Sequence, residues 1–495
     1  MAPHVGDAAP VAHVSEPVVK GEAKDGTSHD NTQGTYEDSY HYEDGSHGSG
    51  FSEWVQKLIW RGGSKYDAWL NAASAQVGQV ILTLPTAMAQ MGFALGLVTQ
   101  FAFAALGCWT AYLLSALYAE HRVRGERARG PKAFQGHVIQ YHEIAGSLVG
   151  PWARWAVVVF NLLSLGGLTV VQIIACASDM YYLSSVLSKR SWALVFGGMS
   201  LLTVLLPTFH NYRVWSFLGL VATTYTSWLM VGESLHVGQA PGVKHRGPHD
   251  ITSFFSGLTT VLFAYGGHSI TIEILHAMWH PRKYPLTYVT AVAYVFTLTV
   301  PNSVSVYWAY GDQVLKKSNA FGVLPPSPQR NVGIILMVLH QGVAFGLFVT
   351  PLYFLWEKLL GTHQASYIVR VSSRIPVVLV IWFLAVAFPF FGPINSILGA
   401  LTTTFATYLL PVALHWITFR TSEARANAVI KPPRWLGRNW NVAFLISGVT
   451  FLTVAILGVG FGGYASIHTL IDQISTFGVF DECYQCPAPP KPKRF

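Results

Sequence analysis

Two apolar stretches of the 495-residue chain carry groups unsuited to a lipid-facing helix. In the first, Asn71, Ser74, Gln76, Gly78, Gln79, Thr83 and Pro85 place amides, hydroxyls, a glycine and a proline at mid-membrane depth. In the second, the run from Phe263 to Glu273 does the same with Tyr265, the pair Gly266-Gly267, His268, Ser269, Thr271 and Glu273. Hydrocarbon offers no partner to a backbone N–H or C=O, so a spanning helix breaks only where protein or a polar cavity takes up the loosened groups. Half-helix ends at such breaks present unpaired N–H groups and a positive dipole end, which suits a carboxylate ligand. Taken singly, Gly78 and Gly266-Gly267 equally fit the reading of small residues that let helices pack closely.

Ionisable groups inside the apolar stretches are the second signal, because a carboxylate at bilayer depth is costly and usually functional. Glu273 is the deepest, whereas Asp179 and Glu233 sit near span ends where water can reach them. His268 lies five residues before Glu273. Its ordinary pKa of about 6.5 suits a group that gains and loses a proton between an acidic and a neutral compartment, and a hydrogen-bonded core histidine is the plainer alternative. Further polar groups are Asn161 and Gln172 in the third apolar stretch, His340 and Gln341 in the eighth, and Asn395 with Thr402 to Thr404 in the tenth. Each could be inter-helix glue; Asn161 and Gln172 rank first as cavity residues, with His340 a further candidate. No phosphate-cradling loop, HExxH pair or nucleophile elbow is present, so neither hydrolysis nor ATP coupling is indicated and the chain reads as a non-enzyme.

The elements that must position these residues are membrane helices. Only 11% of the chain is charged and 51% is hydrophobic, against roughly 25% charged in a soluble protein. Eleven apolar runs long enough to span a bilayer fall near 68–92, 95–119, 152–175, 192–208, 214–236, 252–276, 287–309, 331–356, 375–391, 393–417 and 441–465. The two interrupted runs are the first and the sixth, five spans apart. Interrupted helices at matching places in two halves point to an inverted-repeat transporter with a midplane site.

The net charge of +8 conceals two opposite regions. Residues 1–50 hold nine carboxylates and two lysines, net −7, with five irregularly spaced histidines, and read as a disordered acidic tail; the remainder is +15. With the N-terminus cytoplasmic, the inside loops hold seventeen Lys and Arg and the outside segments ten, in keeping with the positive-inside rule. The tail after 466 is then outside. No metal set is expected: Cys483 and Cys486 lack a second pair, which leaves a local disulfide or no role. The expected division is a tail at 1–53, five-helix repeats at 54–236 and 237–417, and an inside loop, eleventh helix and outside tail at 418–495.

The runs GGSKYDAWLNAASAQVGQVILTLP (62–85), VVQIIACASDMYYL (170–183), PTFHNYRVWSFLGL (207–220), YGGHSITIEILHAMW (265–279), TPLYFLWEKLLG (350–361) and RIPVVLVIWFLAVAFPFFGPINSILGAL (374–401) closely resemble the plant auxin influx carriers (AUX/LAX type) of the amino acid/auxin permease family. The resemblance covers about residues 54–420, and HNYR, GGH…E…HAMW and PFFGPIN together separate those carriers from general amino acid permeases. It is weakest in the N-terminal tail, at 122–134 and at the chain end. It implies an all-α LeuT-like 5+5 inverted repeat with helices 1 and 6 broken and one extra helix, eleven spans in all. It also implies import of indole-3-acetic acid and related aromatic carboxylates across the plasma membrane, driven by a proton gradient with no bound cofactor. Carried over by position, the substrate cavity comprises Gln76, Gly78 and Gln79 of the first span, Asn161 and Gln172 of the third, and Gly266, Gly267 and His268, with His268 implied to hold the ligand carboxylate or to couple protons. The residues themselves add Ser74 and His340 as cavity candidates and Glu273 and Asp179 as proton-exchanging ones. The expected partners are protons, membrane lipid and the indole acid, with no nucleic acid, and the expected state is a monomer. A neutral or aromatic amino acid symporter and a non-transporting sensor remain the alternatives.

Overall fold

The computed structural model describes residues 63–130, 133–134, 137–205, 212–317 and 319–486. The expected acidic tail and the start of the HNYR motif lie outside them. Among the described residues every regular element is helical. In chain order the α-helices of seven residues or more are α1 (Lys65–Val77), α2 (Leu84–Met91), α3 (Phe93–Arg129), α4 (Tyr141–Leu148), α5 (Pro151–Leu183), α6 (Lys189–Ser200), α7 (Tyr212–Val237), α8 (Ile251–Ala264), α9 (Thr271–Ala277), α10 (Tyr284–Tyr310), α11 (Pro328–Leu360), α12 (Tyr367–Ala387), α13 (Phe391–Ile397), α14 (Leu410–Thr418), α15 (Trp440–Val454) and α16 (Gly463–Phe477). Wide π-helical turns join α13 to α14 and α15 to α16.

Nine helical segments among the described residues are long and apolar enough to cross a membrane. The expected spans at 68–92 and 192–208 are not among them. The first is split into α1 and α2, and the other is the twelve-residue α6 followed by a 3-10 turn at Leu201–Leu205. Several helices overrun their apolar cores. Helix α3 continues ten residues past the expected end at 119, carried by the i,i+4 pairs Arg124–Glu120 at 2.8 Å and Arg122–Glu126 at 2.7 Å. The last span runs to Phe477 rather than 465.

Local chemistry sets the boundaries. Ser64 and Asp67 form a capping box at α1, and Asp250 caps α8 through Ser253 N at 2.8 Å. Gly92 turns the chain from α2 into α3 at φ +79°, where a Cβ would meet Gly247 O at 2.5 Å. Burial orders the spans: 94% of the apolar window of Ile251–Ala277 is buried, against 22% for Tyr367–Ala387 and 28% for Trp440–Phe477. The broken sixth span is therefore central and the ninth and eleventh peripheral, with large apolar side chains such as Ile368, Leu445 and Leu452 turned outward.

Candidate functional site

Both expected breaks are present. Helix α1 ends at Gly78, a 3-10 turn covers Gln79–Leu82, and α2 restarts with Pro85 in its first turn, where a missing N–H costs nothing. Neighbouring spans take up the loosened groups. Asn302 Nδ2 on α10 donates to Ile81 O at 2.7 Å. Gln79 and Asn395 exchange amide hydrogen bonds, Asn395 Nδ2 to Gln79 Oε1 at 3.1 Å and Gln79 Nε2 to Asn395 Oδ1 at 3.4 Å. In the sixth span, α8 ends at Ala264, Tyr265 to Gly267 are unwound, and a 3-10 turn at His268–Ile270 leads into α9. The close-packing reading of the glycines also holds. A Cβ on Gly266 would fall 1.9 Å from Thr403 Cγ2, and one on Gly267 would fall 3.2 Å from Gln76 Cγ. The two breaks thus pack on each other as well as interrupting their helices.

A cavity opens between them. It is lined by Ala75, Gln76, Gly78, Gln79 and Val80 of the first break, Leu168 and Gln172 of α5, Phe263, Ala264, Gly266, Gly267 and Ser269 of the second break, and Ala344 and Phe348 of α11. Six expected residues are brought together here: Gln76, Gly78, Gln79, Gln172, Gly266 and Gly267. Both amide atoms of Gln76 and Oε1 of Gln172 are buried without a hydrogen-bond partner among the described residues. Buried polar groups are ordinarily paired, so these atoms are available to bond water or a polar ligand. Val80, Leu168, Phe263 and Phe348 supply apolar walls. Ser269 is held by Ser164 of α5, Oγ to Oγ at 2.8 Å.

The other expected residues lie outside this lining. His268 is fully buried with its ring turned to α3. Its Nε2 lies 3.1 Å from both Gly107 O and Thr110 Oγ1. A carbonyl can only accept, so Nε2 carries the proton, and Nδ1 is left without a partner among the described residues. Direct contact of His268 with a cavity ligand does not fit this geometry. His340 Nδ1 donates to Gly219 O at 3.1 Å on α7, next to Ser74. Asn161 is buried three turns before Gln172, and its Oδ1 has no partner among the described residues. Glu273 is buried with both oxygens likewise unpartnered, whereas Asp179 Oδ1 accepts from Asn319 Nδ2 at 2.8 Å. Cys483 and Cys486 form a disulfide.

Ala344 and Phe348 were missed by sequence reasoning, yet they continue a helical i,i+4 stripe from His340. Extending that stripe would have found them. Asn395, ranked low, is the partner that fixes Gln79.

One end of the bundle is tied by charge. Lys358 Nζ at the end of α11 donates to Glu143 Oε1 at 2.9 Å and Val138 O at 2.7 Å, while His137 Nε2 donates to Glu143 at 3.0 Å. Burial pushes the Glu143 carboxyl up, but the His137 hydrogen bond and the Lys358 ammonium outweigh it and hold it well below the usual carboxylate range. Beside it, buried Glu357 accepts from Arg374 Nε at 2.6 Å and Arg370 Nε at 3.1 Å, and Arg374 also donates to Val204 O at 3.0 Å.

Two broken helices packed on each other around a buried cavity define a LeuT-fold membrane transporter. The solved structure described as MhsT in complex with L-phenylalanine shares the fold, with a TM-score of 0.56 at 14% identity over 80% of this chain and 98% of that one. Residues 61–464 match the family described as transmembrane amino acid transporter protein. Auxin transporter-like protein 1 of Arabidopsis thaliana is 48% identical over 450 residues, 91% of each chain. Auxin transporter protein 1 of the same plant is 47% identical over 444 residues, 90% of each. The chain belongs to the transmembrane amino acid transporter family, within its auxin transporter-like branch.

Proposed function

We propose that this chain imports indole-3-acetic acid across the plasma membrane together with protons, by alternating access, with its N-terminus in the cytoplasm and its C-terminus outside. The observation that carries the reading is the cavity between the breaks, where unpartnered amides stand among apolar walls. Gln76 Nε2 would donate to the ligand carboxylate and Gln172 Oε1 would accept from the indole N–H, while Val80, Leu168, Phe263 and Phe348 pack on the ring. The names of the 46–49% identical relatives support an auxin over an amino acid.

Proton exchange is assigned to His268 and Glu273. Each belongs to the sixth span, so its protonation can respond to movement of the broken helix. His268 acts through Nδ1 rather than by touching the carboxylate, since Nε2 is engaged by α3. Asp179, two turns beyond Gln172 on α5, is the outer group of the set.

The test is uptake of radiolabelled indole-3-acetate into proteoliposomes under an imposed pH gradient, with excess tryptophan as competitor. Accumulation that collapses with the gradient and ignores tryptophan is expected. Accumulation indifferent to the gradient removes the symport reading, competition by tryptophan favours an amino acid permease, and binding without accumulation favours a sensor.

A further inference from the structure

His340 on α11 is buried beside the first break and is not used by the cavity. Its Nδ1–H donates to Gly219 O at 3.1 Å, which leaves Nε2 as the atom that gains or loses a proton. Nε2 has no partner among the described residues. It is aimed at the end of α1: a Cβ on Gly78 would stand 3.1 Å from it, and one on Gly219 would stand 2.8 Å from Nδ1. The two glycines leave the ring its room, and Ser74 Oγ lies against the same pocket.

The position has an electrostatic meaning. Gly78 ends a thirteen-residue helix, and the last carbonyls of such a helix lack i+4 amide partners and form the negative end of its dipole. A proton on Nε2 is stabilised while that helix end stays in place and loses the stabilisation when it moves away. No carboxylate or cationic side chain bonds to the ring among the described residues. The titratable side chain of α5 on this stretch is Cys176, whose thiol is given to Val338 O, and that of α1 is Asp67, engaged by Gly63 and Ser64. Helix α7 brings Gly219 to the ring. The end of α1 is therefore the dominant charge that His340 senses.

The same turn, Gly78 to Val80, lines the ligand cavity on its other side. We propose that His340 is a proton-carrying positioning residue that links protonation to the placement of the broken first span, without touching the ligand. Because the two events share one element, proton binding and ligand binding are coupled through it. The inference rests on the proton-coupled reading above.

The experiment uses the full chain in proteoliposomes, with two assays. One is accumulation of labelled indole-3-acetate with the interior at pH about 7.5 and the exterior at about 5.5, a window that spans histidine titration, with an internal dye recording acidification. The other is counterflow exchange at equal pH. His340→Gln should keep exchange near the wild-type rate while gradient-driven accumulation and acidification fall about 5-fold or more, the low end of a two-site coupling. Wild-type accumulation in His340→Gln overturns the proposal. So does loss of exchange in a His340→Gln protein whose thermal unfolding is unchanged, since that marks a ligand contact. If His340→Gln unfolds early, Gly219→Ala decides, because its methyl crowds Nδ1 off the carbonyl: the pH midpoint of uptake should shift toward acid, and an unmoved midpoint overturns the proposal. Failure of the proton-coupled reading looks different, because accumulation by the wild-type vesicles themselves is then indifferent to the gradient or absent.

Discussion

Gln76 and Gln172 each bury an amide whose oxygen has no protein partner among the described residues, a costly arrangement unless something bonds there. Their effects on binding should differ with the charge of what they meet. Gln76→Ala removes a donor to a carboxylate and should cost about 2 kcal/mol, roughly 30-fold in Kd for indole-3-acetate. Gln172→Ala removes an acceptor from a neutral N–H and should cost about 1 kcal/mol, roughly 5-fold. Equilibrium binding of the labelled acid to purified protein checks both, and equal losses would mean that the two amides do not divide the ligand in this way.

At the scale of elements, the sixth span owes its central place to glycine as much as to its polar groups. Gly266→Ala drives a methyl onto Thr403 Cγ2 of the tenth span, where 1.9 Å separates them, and overpacking of this kind costs about 1–3 kcal/mol. Thr403→Ser removes Cγ2, so adding it to Gly266→Ala should recover much of the loss in thermal unfolding; no recovery would place the strain elsewhere. A second tie joins α11 to α12. Glu357 is 1% exposed and Arg374 also 1%, and breaking such a pair from one side costs about 3 kcal/mol because the remaining charge is stranded. Glu357→Leu should therefore lower the unfolding midpoint sharply. The double variant Glu357→Leu with Arg374→Leu should lower it less, since Arg370, 27% exposed as a side chain, can turn to water.

For the whole molecule, the decisive contacts are those between elements far apart in the chain. Glu143 on α4 and Lys358 at the end of α11 are 215 residues apart, and their bond at 2.9 Å holds α4 against the end of α11. The Glu143 carboxyl is depressed in the folded state, so its contribution is fully present above the ordinary glutamate pKa of about 4.3 and is lost only as pH falls through the lower folded value. Between pH about 7.5 and about 5 this tie should not weaken. Hydrogen exchange across 140–148 should be equally protected at both pH values in the wild type and faster at both in Lys358→Met. Protection that fades toward pH 5 would assign the tie to a group other than this carboxylate.

Apolar run length and its interruption are local properties, so the membrane class and the two breaks were legible in the residues themselves. So were Gln76, Gly78, Gln79, Gln172, Gly266 and Gly267, because polar groups among lipid-compatible neighbours stand out wherever they end up. Helix ends were less legible: Arg122 to Arg129 look like a loop by hydropathy, yet i,i+4 ion pairs extend α3 through them. Which way a buried side chain points depends on neighbours hundreds of residues away, and there tertiary packing decided. It turned His268 toward Gly107 and away from the cavity, set His340 between Gly78 and Gly219, and paired Gln79 with Asn395 across 316 residues. The sequence determined which groups would be buried and costly; only the packing of distant spans determined which of them found partners and which were left facing the cavity.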